Sequence, residues 1–388
     1  QGVSSAASDV YKRQVLDIAQ ANGNVSFGGS FSQSNSGTFI MKGQNQLVTI
    51  AGNTNLSGAL NLVGLAPGYQ LGQHVSLFSL NSSLPNSVNF NSVSTNLGSA
   101  SWVTLTPSGL DWVYGPSPYS TLNSIEQNTP GLATSFNQQL GALQAALTYD
   151  CVKFDSNNIC LSGGGRYTYA GANPSGDAQA ALVILGYKAA PSIRVGVYLD
   201  QSINISSPSN ISQTHDSPMW GLFGNWSQHQ DGTGLSLEGN AAFAFSSLAV
   251  SRSSNYSTEP GSGSGSFNSQ AFRLQANYAL PITEEIRLIP YLGIRYTHLN
   301  FGSYSESSNS QVMAPLSYNS LTQSIFSALS GVGLYSKLAE KLSGVVSVGF
   351  QQNLMYSMSN YSGTSTIPGI NSFSVQMPSY QNTMITTS

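Results

Sequence analysis

Arg287-Leu288-Ile289-Pro290-Tyr291-Leu292-Gly293-Ile294-Arg295-Tyr296-Thr297 sets Leu288, Pro290, Leu292, Ile294 and Tyr296 on one face of an extended chain. Arg287, Ile289, Tyr291, Gly293, Arg295 and Thr297 fall on the other, because successive side chains of a strand point to opposite sides. The same period of two recurs around this stretch. Val195, Val197 and Leu199 oppose Arg194, Gly196, Tyr198 and Asp200; Leu235, Leu237, Ala241, Phe243 and Phe245 oppose Ser236, Glu238, Asn240, Ala242 and Ala244. Phe272, Leu274, Ala276, Tyr278 and Leu280 oppose Arg273, Gln275, Asn277 and Ala279, and Val346, Val348 and Phe350 oppose Ser347, Gly349 and Gln351. In a soluble sandwich the polar face meets water and is rich in Lys and Glu. Here it carries only Arg194, Asp200, Glu238, Arg273, Arg287 and Arg295 among Gly, Ser, Asn and Gln, which suits a narrow lumen behind a lipid-facing apolar side. The alternating runs outlast the roughly five or six residues usual in globular sheets. Long Ser/Asn/Gly stretches, such as Ser206 to Asp216 and Ser251 to Ser266, alternate with short turns such as Ala190-Pro191-Ser192 and Pro281-Ile282-Thr283-Glu284. Together these features predict an antiparallel transmembrane β-barrel, with Tyr187, Tyr278, Tyr291, Tyr296 and Tyr335 as interfacial girdles.

The whole chain is poor in charge. In 388 residues, 13 Lys+Arg and 16 Asp+Glu make 7%, with a net charge of −3, against 40% hydrophobic residues. Soluble domains carry about 25% charged residues, so the composition argues against a cytosolic enzyme. An aromatic content of 10% with so small a net charge also argues against charge-driven disorder. Thirteen basic residues over this length cannot form the dense cationic face that nucleic acid requires. No apolar run approaches the roughly 18 residues of a membrane-spanning helix, which leaves strands as the way across a bilayer.

Upstream of Ile159 the texture differs. From Val15 to Tyr114, short β-type runs (Asn24-Val25-Ser26-Phe27, Leu47-Val48-Thr49-Ile50) are broken by Gly, Asn and Ser. Gly37-Thr38-Phe39-Ile40-Met41-Lys42-Gly43 resembles Gly58-Ala59-Leu60-Asn61-Leu62-Val63-Gly64 at an offset of 21 residues, the length of a rung in a parallel β-helix. One such pair leaves an antiparallel sandwich equally open. Gly115-Pro116-Ser117-Pro118 reads as a linker. After Pro130, which suits a first helical turn, Leu132, Phe136, Leu140, Leu143 and Leu147 recur at helical spacing and share one face. Asn137, Gln138, Gln139 and Gln144 occupy the rest, a neutral amide surface unusual for a helix in bulk water. Residues 1–14 match nothing downstream and read as a non-native or unstructured leader.

This order of textures resembles the C-terminal part of an autotransporter of type V secretion. Leu288-Ile289-Pro290-Tyr291-Leu292-Gly293-Ile294-Arg295-Tyr296, followed by Phe301-Gly302 and Glu306, is similar to a barrel strand of that family and its following loop. Leu60 to Tyr114, with Gly68-Tyr69, Val75-Ser76-Leu77-Phe78 and the ending Leu105 to Tyr114, is similar to the last rungs and cap of a β-helical passenger. The resemblance implies an all-β chain: a parallel β-helix end at 15–114, a linker and pore helix at 115–150, and an outer-membrane barrel of the twelve-strand type at 151–388. It implies that the helix threads the pore and residues 15–114 stand outside the cell. Implied partners are outer-membrane lipid, the barrel-assembly machinery, periplasmic chaperones and the chain's own passenger in cis, with no cofactor and no catalysis. Nine or ten strand-like segments can be read between Ile159 and Gln381, and Ile385-Thr386-Thr387-Ser388 lacks the family's terminal aromatic residue, so truncation at both ends is expected. Phe136-Asn137-Gln138-Gln139-Leu140 lacks the Asn-Asn pair at which some members cleave their passenger.

Candidate sites are few. Cys151 and Cys160, between the helix and the first strand, are expected to form a small-loop disulfide worth about 2–3 kcal/mol. His74, His215, His229 and His298 have no metal-ligand spacing. Gly261-Ser262-Gly263-Ser264-Gly265 has Gly where a nucleophile elbow needs Ser and reads as a flexible loop. Arg194, Asp200, Glu238, Arg273, Arg287 and Arg295 either hold the helix through its Asn and Gln side chains or form only a solvated lumen wall. Three other functions stay in view, one of them a surface adhesin whose binding region lies upstream. A porin-like channel would require the helix to lie outside the pore, and an outer-membrane hydrolase would require a Ser–His–carboxylate cluster.

Overall fold

The computed structural model describes residues 15–171, 173–214, 217–255, 257–283, 285–309, 311–339, 342–378 and 383–387. The leader expected at 1–14, together with His215 and Glu284, lies outside them.

Residues 15–114 form two facing sheets of stacked strands. Thr38–Lys42 pairs in parallel with Thr54–Val63, Thr38 opposite Ala59 and Lys42 opposite Val63, which is the offset of 21 residues legible in the sequence. Val15–Asp17 and Asn86–Thr95 extend that sheet, also in parallel. The second sheet stacks Val25–Phe27, Val48–Ile50 and His74–Leu80 in parallel. It ends when Gly109–Tyr114 pairs antiparallel with both His74–Leu80 and Ser101–Thr106. A parallel stack is thus closed by an antiparallel cap. Phe39, Met41, Leu60, Leu62, Leu77 and Trp112 fill the space between the sheets and are wholly buried, so the alternation within each strand sends apolar residues inward.

From Ile159 the chain builds one antiparallel sheet in sequence order. Its strands are Ile159–Ala170, Gly176–Ala190, Ile193–Ser206, Met219–Ser227, Gly234–Arg252, Gly261–Pro281, Ile286–Phe301, Leu321–Ala339, Leu342–Met358 and Thr383–Thr387. Ile211–Thr214 pairs beside Gly234–Arg252. The burial is inverted relative to the first region: Leu274 is 56%, Leu292 68% and Val346 65% exposed, whereas Arg166, Asp200, Asn240 and Arg295 on the other face are buried. A continuous apolar exterior of this extent is a lipid-facing surface. Among the described residues no helix is long and apolar enough to cross a membrane; the strands do so.

Two helices lie between the regions, α1 (Pro118–Glu126) and α2 (Thr129–Ala146). The sequence predicts only the second. In α1 the signal is local: the Ser117 side chain caps it by accepting from the Ser120 amide, and Pro118 occupies its first turn. α2 touches Ile159–Ala170, Gly176–Ala190, Gly234–Arg252, Gly261–Pro281 and Ile286–Phe301, so the sheet curls around it.

Three expectations change. Gly261–Gly265 is not a loop but continues a strand, pairing with Leu248–Arg252. Its glycines are there for space: a Cβ on Gly261 would lie 2.0 Å from the Glu306 carboxylate. Tyr187, Tyr278 and Tyr296 are exposed on the outer face, but Tyr291 and Tyr335 sit on the inner side. The Tyr291 hydroxyl packs on Gly331, and Arg287 lies 5.5 Å over the Tyr335 ring. Finally, the connections opposite the short turns carry structure of their own: Tyr304–Ser305, Ser317–Tyr318, Tyr361–Thr364 and Ser372–Val375 form a four-stranded sheet at this loop end.

Candidate functional site

The site is α2 and the wall around it. Leu132, Phe136, Leu143 and Leu147 are wholly buried and Leu140 almost so, the stripe expected from spacing; Leu147 stands just past the last helical turn. Gln138 and Gln139, on the amide side, are buried as well. The Gln138 amide donates to the Ser206 carbonyl at 2.9 Å and that of Gln139 to Ser269 Oγ at 2.9 Å, while Gln213 donates to Gln139 Oε1 at 3.2 Å. Thr134 Oγ1 donates to the Pro174 carbonyl at 2.6 Å. Buried amides need partners; neutral groups of the wall accept from both NH2 groups, while Gln138 Oε1 has no partner among the described residues. Asn137 and Gln144 are half-buried and make no side-chain hydrogen bond among the described residues.

Both ends of the helical segment are pinned. At the turn end, the Asn240 amide donates to the Leu147 carbonyl, satisfying one of the orphan acceptors at a helix C-terminus. Tyr149 donates to Asp200 at 2.7 Å, and Arg166 grips the same carboxylate through Nε and an Nη at 2.8 and 3.0 Å. Asp150 pairs with Arg194 at 2.6 Å, and Cys151 is disulfide-bonded to Cys160 at the start of the first barrel strand. At the loop end, Asn210 donates to Asn128 at 2.8 Å. Arg252 forms a two-pronged pair with Glu306 at 2.9 and 3.0 Å, both side chains 2% exposed. Its remaining Nη donates to Ser124 of α1, Thr258 Oγ1 and the Glu259 carbonyl. Glu306 also accepts from the Tyr318 hydroxyl and the Leu316 amide. An ion pair this dry is tolerable only because nearly every lone pair and proton is matched.

The charged residues anticipated from the sequence are divided by the structure. Asp200 belongs to the turn-end cluster, Arg194 pairs with Asp150, and Arg273 pairs with Glu238 at 3.0 Å. Arg295 donates to Gln351. Arg287 shares their side by alternation but sits at its strand end, donating to the Asp231 carbonyl of the neighbouring turn at 2.7 Å. Asp200, Arg194, Glu238 and Arg273 are thus matched by opposite charges of the wall and not by the helix amides; a desolvated ion is better compensated by an opposite charge than by a neutral amide. The sequence does not single out Tyr149, Asp150, Arg166 or Arg252, and it gives Asn240 and Glu306 a place but no role. Arg166 was discoverable by alternation from the exposed Leu161 and Tyr167.

The location of α2 inside the curled sheet is the opposite of what an open porin requires. Ser76, His74 and Asp111 do meet on the first region's surface. Yet Ser76 donates to Asp111 at 2.8 Å and His74 lies 3.3 Å from the same carboxylate, so the hydroxyl is bonded to the carboxylate and not to the imidazole, unlike a nucleophile–base pair. His229 lies in a turn against Thr233, and His298 bonds to Ser324.

The family profile described as Autotransporter beta-domain matches residues 160–387. The chain belongs to the autotransporter β-domain family. Its sheet is therefore the translocator barrel of the bacterial outer membrane, a transport domain with its own passenger as partner in cis. Among solved structures, the translocator domain of the autotransporter NalP from Neisseria meningitidis is similar at 19% identity, covering 68% of this chain and 85% of that one with a TM-score of 0.46. No curated protein sequence matches the chain.

Proposed function

We propose that α2 is the plug left in the pore after export, that residues 15–114 are the last rungs of a passenger carried on the cell-surface side, and that Arg194, Asp200, Glu238, Arg273 and Arg295 line the lumen. Arg287 serves at its rim. The observation that supports this is the pinning of one segment at both ends: Ser124 and Asn128 at the loop end, Leu147 to Cys151 at the turn end. A helix merely adsorbed on the barrel would bury one stripe; α2 buries its leucine stripe and its Gln138–Gln139 side alike. The loop end is then extracellular and the short turns periplasmic. Barrel strands with so apolar an exterior need protection before insertion, so periplasmic chaperones and the barrel-assembly machinery are the proposed partners during biogenesis.

Intact cells treated with proteinase K test the assignment. Residues 15–114 should be accessible to antibody, Leu132 to Leu147 should survive as a protected fragment, and the purified chain should conduct weakly in planar bilayers. Cleavage inside Leu132–Leu147 on folded barrels, or a large steady conductance, would overturn the plug reading.

A further inference from the structure

The stretch read as a linker does not behave as one. Gly115, Pro116 and Ser117 are buried. The Gly115 amide donates to the Ala100 carbonyl of the first region at 3.1 Å, and the Ser117 amide donates to the Ser257 carbonyl at 2.7 Å in the barrel connection that follows Arg252. The segment is therefore bonded to the passenger on one side and to the barrel on the other. Beside it the two bodies touch directly. Leu71 packs on the apolar cluster at the loop end that contains Ile125, Ile367 and Ile370. Gly72, at φ +80°, lies so close to Pro368 that a Cβ would meet its ring at 2.6 Å. The Tyr114 hydroxyl donates to Met313 Sδ at 3.1 Å. Between the faces remains a cavity of about 70 Å³ lined by Leu71, His74, Trp102, Pro116, Pro118 and Pro368.

We propose that these contacts are a fixed joint: the last rung of the passenger is seated on the barrel connections carrying Met313 and Pro368, so the passenger is retained and presented at one angle instead of trailing from a flexible tether. The partner of this surface is the chain's own passenger in cis. The inference rests on residues 15–114 standing on the loop side of the barrel. Its chemistry is apolar and close-packed, with glycine at the contact because nothing larger fits. Retention follows from the same burial, since a protease must have several residues of extended, accessible backbone to cut, and Gly115–Ser117 offers none.

Pulsed electron–electron spin-resonance distances on the full chain in liposomes decide it. Spin labels are placed at Asn55→Cys, exposed on the passenger, and Ser253→Cys, exposed in a barrel connection. One narrow distance distribution is expected, with the 115–118 segment resistant to proteinase K. The pair Met313→Asp and Pro368→Asp, which leaves every passenger residue unchanged, should broaden the distribution several-fold and open that segment to cleavage. Heat-modifiable electrophoretic mobility confirms that the barrel is still folded. A broad distribution in the unmodified joint, or cleavage at 115–118 with the barrel intact, overturns the joint while leaving the translocator reading in place. Loss of the folded barrel in the double variant directs the comparison to Met313→Ala alone, where an unchanged distribution would count against the Met313 contact.

Discussion

The passenger end and the barrel are made from nearly the same uncharged β vocabulary and bury it in opposite senses. In residues 15–114 the alternation sends Phe39, Leu60 and Leu62 into a dry interior, and the polar Ser and Asn face outward. In the barrel the alternation sends Leu274, Leu292 and Val346 outward, while Asp200, Arg252 and Glu306 are enclosed. The difference is the solvent. Water outside favours an apolar inside; lipid outside removes that incentive, and the interior is then held by hydrogen bonds and ion pairs around α2.

The largest effect should come from placing one substitution in both regions. Leu60→Arg puts an unpaired charge in the passenger core and should cost about 5 kcal/mol or more, seen as loss of the protease-resistant passenger fragment. Glu306→Gln leaves Arg252 buried without its counter-charge and should cost about 3–5 kcal/mol. Heat-modifiable mobility in a temperature series reads it, and the double change Arg252→Met with Glu306→Met should recover most of the loss. In the barrel, Leu292→Arg should cost only about 2–4 kcal/mol in lipid, measured by urea titration in liposomes; equality with Leu60→Arg would mean that Leu292 is packed against protein. Cys151→Ser with Cys160→Ser should cost about 2–3 kcal/mol, because only a short loop is released and Asn240, Asp200 and Arg194 still hold the helix end. The smallest effect is a pH dependence at the loop end. Burial holds the Glu259 carboxyl above the usual carboxylate range, although the Met313 and Ala314 amides donate to it. A carboxyl whose folded pKa exceeds its unfolded value adds stability as the pH falls through the folded value, and that stability is lost as pH rises. Wild type should therefore gain loop-end stability on mild acidification above the ordinary value of 4.5, and Glu259→Gln should abolish that gain.

Legibility followed the range of the interactions. Alternation is set by the geometry of a single strand, so Val195, Leu237, Leu274 and Leu292 could be assigned to the outer face from their neighbours alone. The 21-residue offset could be read because a stacked rung repeats its own chemistry, and the stripe from Leu132 to Leu147 because helical period is local. Gly261–Gly265 misled, since Gly and Ser signal flexibility unless one knows that a carboxylate from residue 306 must fit beside them. α1 was missed because Ser, Thr and Asn are weak helix formers and its support comes from Arg252 and Ser257.

The sequence by itself determined an amide-sided helix and strands with one face for lipid, because each is a periodicity carried by consecutive residues; it showed the 21-residue repeat but left open the parallel stacking, which the strand pairing decided. Only the tertiary structure decided which charge meets which. Arg166 finds Asp200, Arg252 finds Glu306 and Gln139 finds Ser269 because strand register and the curl of the sheet bring together residues tens to more than a hundred positions apart. The same curl closes Gly115–Ser117 between two bodies, and no local pattern in the sequence encodes that contact.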